Sequence, residues 1–133
     1  MELYILLFIC YSTFAGVLEA VLYGRQAAET WKWNEHILIG TKVAFVLIGF
    51  FVLPHIVHPS PLESFIGSVC SVLVYSFFHD GFYYEASRQI NRPDYRFNSN
   101  SKTSTAKIEI TWFVRANMFI ASLIILLVYQ FIL

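Results

Sequence analysis

The sequence predicts an all-α integral membrane protein, a bundle of four transmembrane helices with both termini on the outer side. Three observations carry that reading. Hydrophobic residues make up 57% of the 133 and charged residues only 14%, against about 25% charged in a soluble domain. The apolar residues fall in blocks too long for ordinary core helices. All nine Lys and Arg residues cluster in, or next to, two of the three predicted loops. At this length one domain, 1–133, is expected.

Helix one is predicted over 3–23. It reads as a retained helix, since Glu2 and no Lys or Arg precedes it and its apolar stretch is long for a signal peptide. Ser12, Gly16 and Ala20 form a stripe of small residues at four-residue spacing, suited to close helix packing in lipid. Glu19 lies beside that stripe. A polar loop follows over 24–34, with Arg25, Glu29, Lys32, Trp31 and Trp33.

Helix two is predicted over 35–53. Asn34 is placed to cap it, Lys42 is the single charge in its apolar tract, and Pro54 ends it. The next loop is short and holds His55 and His58. Helix three is predicted over 61–90. Ser60 is its cap, Pro61 its first residue, and Glu63 is placed to close a capping box. A little over twenty residues at 1.5 Å each span about 30 Å, so His79 and Asp80 arrive near the far boundary of the hydrocarbon. Pro93 argues against further helix. Residues 91–106 are rich in Ser, Thr and Asn, and a mobile polar loop is expected there. Helix four is predicted over 107–133.

Short loops rich in Lys and Arg stay cytoplasmic. The first and third loops are therefore expected inside, and the second loop and both termini outside. Trp31, Trp33 and Trp112 all fall near the predicted inner interface, where an aromatic anchor belongs. The expected location is the inner membrane, multi-pass.

Each helix then brings an ionisable group to the same leaflet. Glu19 is about 6 Å inside helix one, Lys42 and Arg115 about 10 Å inside helices two and four, with His79 and Asp80 near the end of helix three. On helix three Ser64, Ser68, Ser71, Tyr75 and His79 share a face, and on helix four Thr111, Arg115, Met118 and Ser122 share one. Asp80 is expected within ion-pair or one-water reach of Arg115 or Lys42, with Glu19 facing the same interior. The bland reading is that the charges snorkel or pair to fix packing. The sharper one is a polar pocket. Its catalytic candidates are Asp80, His79 and Glu19, and its ligand-binding candidates are Arg115, Lys42, Tyr83 and Tyr84.

No metal or other cofactor is expected. His36, His79 and Asp80 are the weak candidates, and a catalytic metal needs three protein ligands. His55 and His58 belong to the opposite side of the bilayer. Cys10 and Cys70 lie inside apolar runs and imply no disulfide framework. The formal net charge of zero predicts no nucleic-acid partner. No nucleotide loop, catalytic triad or zinc signature is present.

His79-Asp80-Gly81-Phe82-Tyr83-Tyr84, followed by Thr103-Ser104-Thr105-Ala106 and Arg115 nine residues later, resembles small uncharacterised integral membrane proteins of Bacteroidetes and their phages. The resemblance covers the second half of the chain. It implies a membrane location and that these residues belong together, and it implies no activity. The expected function is that of a small membrane protein, non-enzymatic, acting through a membrane-protein partner or as a homo-oligomer in the lipid bilayer. The alternatives are a membrane-embedded enzyme or binding protein for a lipid or amphiphile, and an oligomeric pore.

Overall fold

The computed structural model describes residues 2–24, 40, 44, 60–90, 92–102 and 109–132. Among these, three helices run in the order α1 (Glu2–Gly24), α2 (Pro61–Ile90) and α3 (Trp112–Ile132). A two-residue strand pair, β1 (Ser101–Lys102) and β2 (Glu109–Ile110), joins α2 to α3. The helix predicted over 35–53 lies outside the described residues, apart from Gly40 and Ala44, which are helical and exposed. The four-helix count therefore reduces, within the described residues, to three.

Helix α2 is central and packs against both α1 and α3. It has 30 residues, about 45 Å at 1.5 Å each, so it exceeds one hydrocarbon thickness. Helices α2 and α3 are each long and apolar enough to cross a membrane, and α1 offers a shorter apolar stretch, Ile5–Val21. The outward side of α3 is apolar, from Phe113 and Val114 through Ile124 and Val128 to Phe131. In water such a face would be a liability, and in lipid it is ordinary surface.

Helix α2 starts at Ser60-Pro61 as predicted, and the described partner of Glu63 is on α3 and not in a capping box. Ser64 donates its backbone N–H to Ser60 O at 3.1 Å, and Glu63 accepts from the Tyr129 hydroxyl of α3 at 2.6 Å. At the other end, Arg92 N–H returns to Ser87 O at 2.9 Å. That six-to-one bond is of the kind that closes a helix C-terminus.

The small-residue stripe of α1 is buried: Ser12, Gly16 and Ala20 all face the bundle. Ser12 and Ser71 bury their hydroxyls by donating to carbonyls four residues back, Phe8 O and Gly67 O. Ile5 and Cys70 meet in the apolar part of the bundle, with Ile9, Ile66, Ile125 and Leu126 packed on them.

The connection from α2 to α3 differs from expectation. Its described part is held by turns: Tyr95 N–H donates to Arg92 O, and Ser99 N–H to Arg96 O. Strands β1 and β2 then pair antiparallel, Ser101 opposite Ile110 and Lys102 opposite Glu109. Helix α3 thus starts at Trp112 and not at 107. Thr111 is its cap, its Oγ1 accepting from Val114 N–H at 3.3 Å. Asn100 fastens the hairpin to that cap. Its Oδ1 accepts from Trp112 N–H, and its Nδ2 donates to Glu109 Oε1.

Candidate functional site

Gly16 determines where α1 meets α2. A Cβ on Gly16 would run into the backbone carbonyl of His79 and come within 3.1 Å of Tyr83 N. Only glycine permits this approach of two backbones. Glu19, less than one turn further along α1, is thereby brought to the His79 ring. Glu19 Oε2 lies 3.0 Å from His79 Nε2, at ion-pair distance though not in line for a straight N–H···O bond.

The other ring nitrogen, Nδ1, lies 2.8 Å from Asp80 Oδ1. Asp80 Oδ2 accepts from Ser76 Oγ at 2.8 Å. The Ser101 hydroxyl, carried by β1, faces the same carboxylate. Tyr75 stacks on His79 with ring centroids 4.8 Å apart and planes 16° from parallel. His79 is buried, with only 7% of its surface exposed. A line of polar contacts therefore crosses from α1, through α2, to the hairpin.

Arg115 is fully buried. It makes no direct ion pair with Asp80, and Lys42, the other expected partner of Asp80, lies outside the described residues. Arg115 Nη2 donates to the carbonyls of Phe97, at 3.3 Å, and of Ser99. The reason is local competition. Asp80 is occupied by Ser76 and His79 on its own helix, while the segment before β1 places two carbonyls within reach of the guanidinium. The charge of Asp80 still reaches Arg115. The guanidinium also faces the Tyr84 ring at 5.8 Å and the Trp112 ring at 5.4 Å.

Aromatic rings close this end of the bundle. Phe97, on the hairpin, lies over Gly81, where any Cβ would strike its ring. Phe97 meets Phe77, Phe82 and Trp112 with centroids 5.5 to 5.7 Å apart. Phe77 stacks on Phe119 of α3 at 4.6 Å.

Of the residues singled out in the sequence, the structure brings Glu19, His79 and Asp80 into direct contact. Arg115 and Tyr84 adjoin them, and Tyr83 packs edge-on against Tyr84 at 5.2 Å. Lys42 and His36 lie outside the described residues. Among the described residues, no group of three or more His, Cys, Asp or Glu side chains is arranged to hold a metal ion. Ser76, Ser101, Phe97 and Asn100 were not anticipated as parts of the site. The alternation Lys107-Ile108-Glu109-Ile110-Thr111 is the signal that would have suggested a strand there.

Chemically, the cluster can hold and share protons. His79 faces carboxylates at both nitrogens, and the Ser76 hydroxyl donates to Asp80. This is not the base-to-nucleophile geometry of acyl transfer. No protein-family model, no curated protein and no solved structure matches the chain.

Proposed function

We propose that the chain is a multi-pass protein of the inner membrane, four helices with both termini outward, that works without catalysis by presenting its α2–α3 hairpin to a partner protein at the cytoplasmic face. One observation carries this reading. A fully buried guanidinium, Arg115, is committed to two backbone carbonyls of the hairpin. Burying a cation is costly, and here the return is that residues 97–99 of the connection are tied to α3. Ser101 on Asp80 and Phe97 over Gly81 fasten the same segment. An idle linker has no need of such anchors. The resemblance to small membrane proteins of Bacteroidetes and their phages agrees with a membrane location. It belongs to the same proposal.

The exposed hairpin residues Arg96 and Asn98 are the positions to test. A photo-crosslinking residue at either is expected to give one discrete adduct in cells, lost in Arg115→Met. An adduct twice the mass of the chain would identify a second copy as the partner. No adduct at either position would sink the proposal. Reporter fusions at Ser99 are expected inside, and fusions at Ser60 outside. The reverse pattern would overturn the orientation.

A second reading is favoured by a different feature of Arg115, whose Nε and Nη1 find no acceptor among the described residues. In it, the polar end of the bundle takes an acceptor group of a lipid or other amphiphile. Native mass spectrometry in lipid discs separates the two readings. A lipid retained by the wild type and lost in Arg115→Met favours the second.

A further inference from the structure

We infer that Glu19, His79 and Asp80 form a shared-proton site that latches α1 to α2 and to the hairpin, closed when the trio holds two protons and opened by the loss of one. The inference does not depend on what the hairpin binds.

The argument is a proton count. An imidazole nitrogen without a proton and a carboxylate oxygen both present lone pairs and repel each other at contact distance. His79 nevertheless has a carboxylate oxygen 3.0 Å from Nε2 and another 2.8 Å from Nδ1. Each contact therefore needs a proton of its own. Two protons satisfy both, either as an imidazolium between two carboxylates or as a neutral ring with one protonated carboxyl. These forms differ only in where a proton sits between a ring nitrogen and a carboxylate oxygen, so the trio shares its protons without changing its total.

With one proton the trio can keep only one contact. Asp80 Oδ2 is held by Ser76, and His79 and Asp80 are neighbours in the chain. The contact to Glu19 joins two different helices, so it is the one that opens. The proton released goes to solvent base, since the Glu19 and Asp80 side chains are each 17% exposed.

Among the described residues, the groups around the trio are Tyr75 on α2, with Tyr11 of α1 beside it, Ser101 on β1, and Arg115 on α3. Ser101 has no titration in water, and Arg115 keeps its charge throughout. Tyrosine, with an ordinary pKa near 10, stays neutral well above neutral pH.

The test uses the full chain in lipid discs, with 15N-labelled histidine and the His79 signal assigned by its absence in His79→Gln. Near neutral pH, Nε2 is expected to be protonated or hydrogen-bonded. As pH rises, Nε2 should become a bare nitrogen, and the melting temperature should fall over the same interval. Glu19→Gln is the decisive variant. Its amide N–H can donate to bare Nε2, so the bridge no longer needs the second proton. The alkaline fall in melting temperature is expected to vanish in Glu19→Gln. An alkaline fall in Glu19→Gln equal to that of the wild type would overturn the inference. So would a bare, unbonded Nε2 in the wild type at neutral pH. If Glu19→Gln does not fold, the wild-type spectra still decide.

Discussion

The two ends of the bundle are built differently. At the hairpin end, Glu19, His79 and Arg115 each reach a partner outside their own turn of helix. Phe77, Phe97, Trp112 and Phe119 interlock around them. At the other end, Ile5 and Cys70 meet among aliphatic side chains, and Ser12 and Ser71 turn their hydroxyls back to their own helices. The contrast teaches where helix register comes from. In lipid, no hydrophobic force drives helices together, so packing, close backbone approach and polar bonds must do it. Aliphatic side chains can slide by a turn at small cost. A histidine between two carboxylates cannot.

The comparison makes the largest effect easy to place. Gly16→Val should be the most damaging single change in the described residues. The new side chain meets the backbone carbonyl of His79, which has no rotamer to move into. The cost is expected at or above the upper end of overpacking, about 3 kcal/mol. Gly81→Ala is the control. It meets the far edge of the Phe97 ring, which can tilt, so about 1 kcal/mol is expected. Detergent unfolding of both variants checks the order. If Gly81→Ala proved the worse, the α1–α2 approach would not be the organising contact.

Arg115→Met comes next. It leaves the part-buried carbonyls of Phe97 and Ser99 without their donor, at a cost of roughly 1–3 kcal/mol. Its coupling to Asp80→Asn should be small, under about 0.5 kcal/mol, because the two groups share no bond. The Glu19/His79 cycle should show more, within the range of about 0.5–3 kcal/mol seen for residues in contact. A large Arg115/Asp80 coupling would restore the ion pair that the sequence suggested and the structure does not contain.

That exchange of partners shows what was legible beforehand. Helix α2 could be read from both ends, because Ser60-Pro61 and Pro93 are local signals with a local mechanism. The convergence of Glu19, His79 and Asp80 followed from depth, a one-dimensional property that rise per residue supplies. Their pairing did not follow from it. Depth cannot say that Gly16 sets the α1–α2 contact, nor which oxygen faces which nitrogen. The hairpin was missed for a related reason. Its composition looked like a solvated loop, and its order comes from long-range anchors, Phe97 on Gly81 and Arg115 on two carbonyls. No local window of sequence contains both halves of such a contact.

The smallest effects belong to the far end, where polar groups also cross between helices. Ser122 of α3 donates to Cys70 O at 3.5 Å, and the Cys70 thiol approaches Ser122 O at 3.8 Å. Both are at the limit of what counts as a hydrogen bond. Ser122→Ala should therefore cost no more than about 0.5 kcal/mol, despite complete burial of the residue. The Tyr129 hydroxyl bond to Glu63 is short, at 2.6 Å. It lies near the ends of α3 and α2, where other donors can replace it, so Tyr129→Phe should leave the melting temperature within the scatter of replicate measurements. The double variant should simply add the two. Ser122→Ala matching Arg115→Met in cost would mean that register is set along the whole length of α2. The contrast between the ends would then describe their composition and not their energetics.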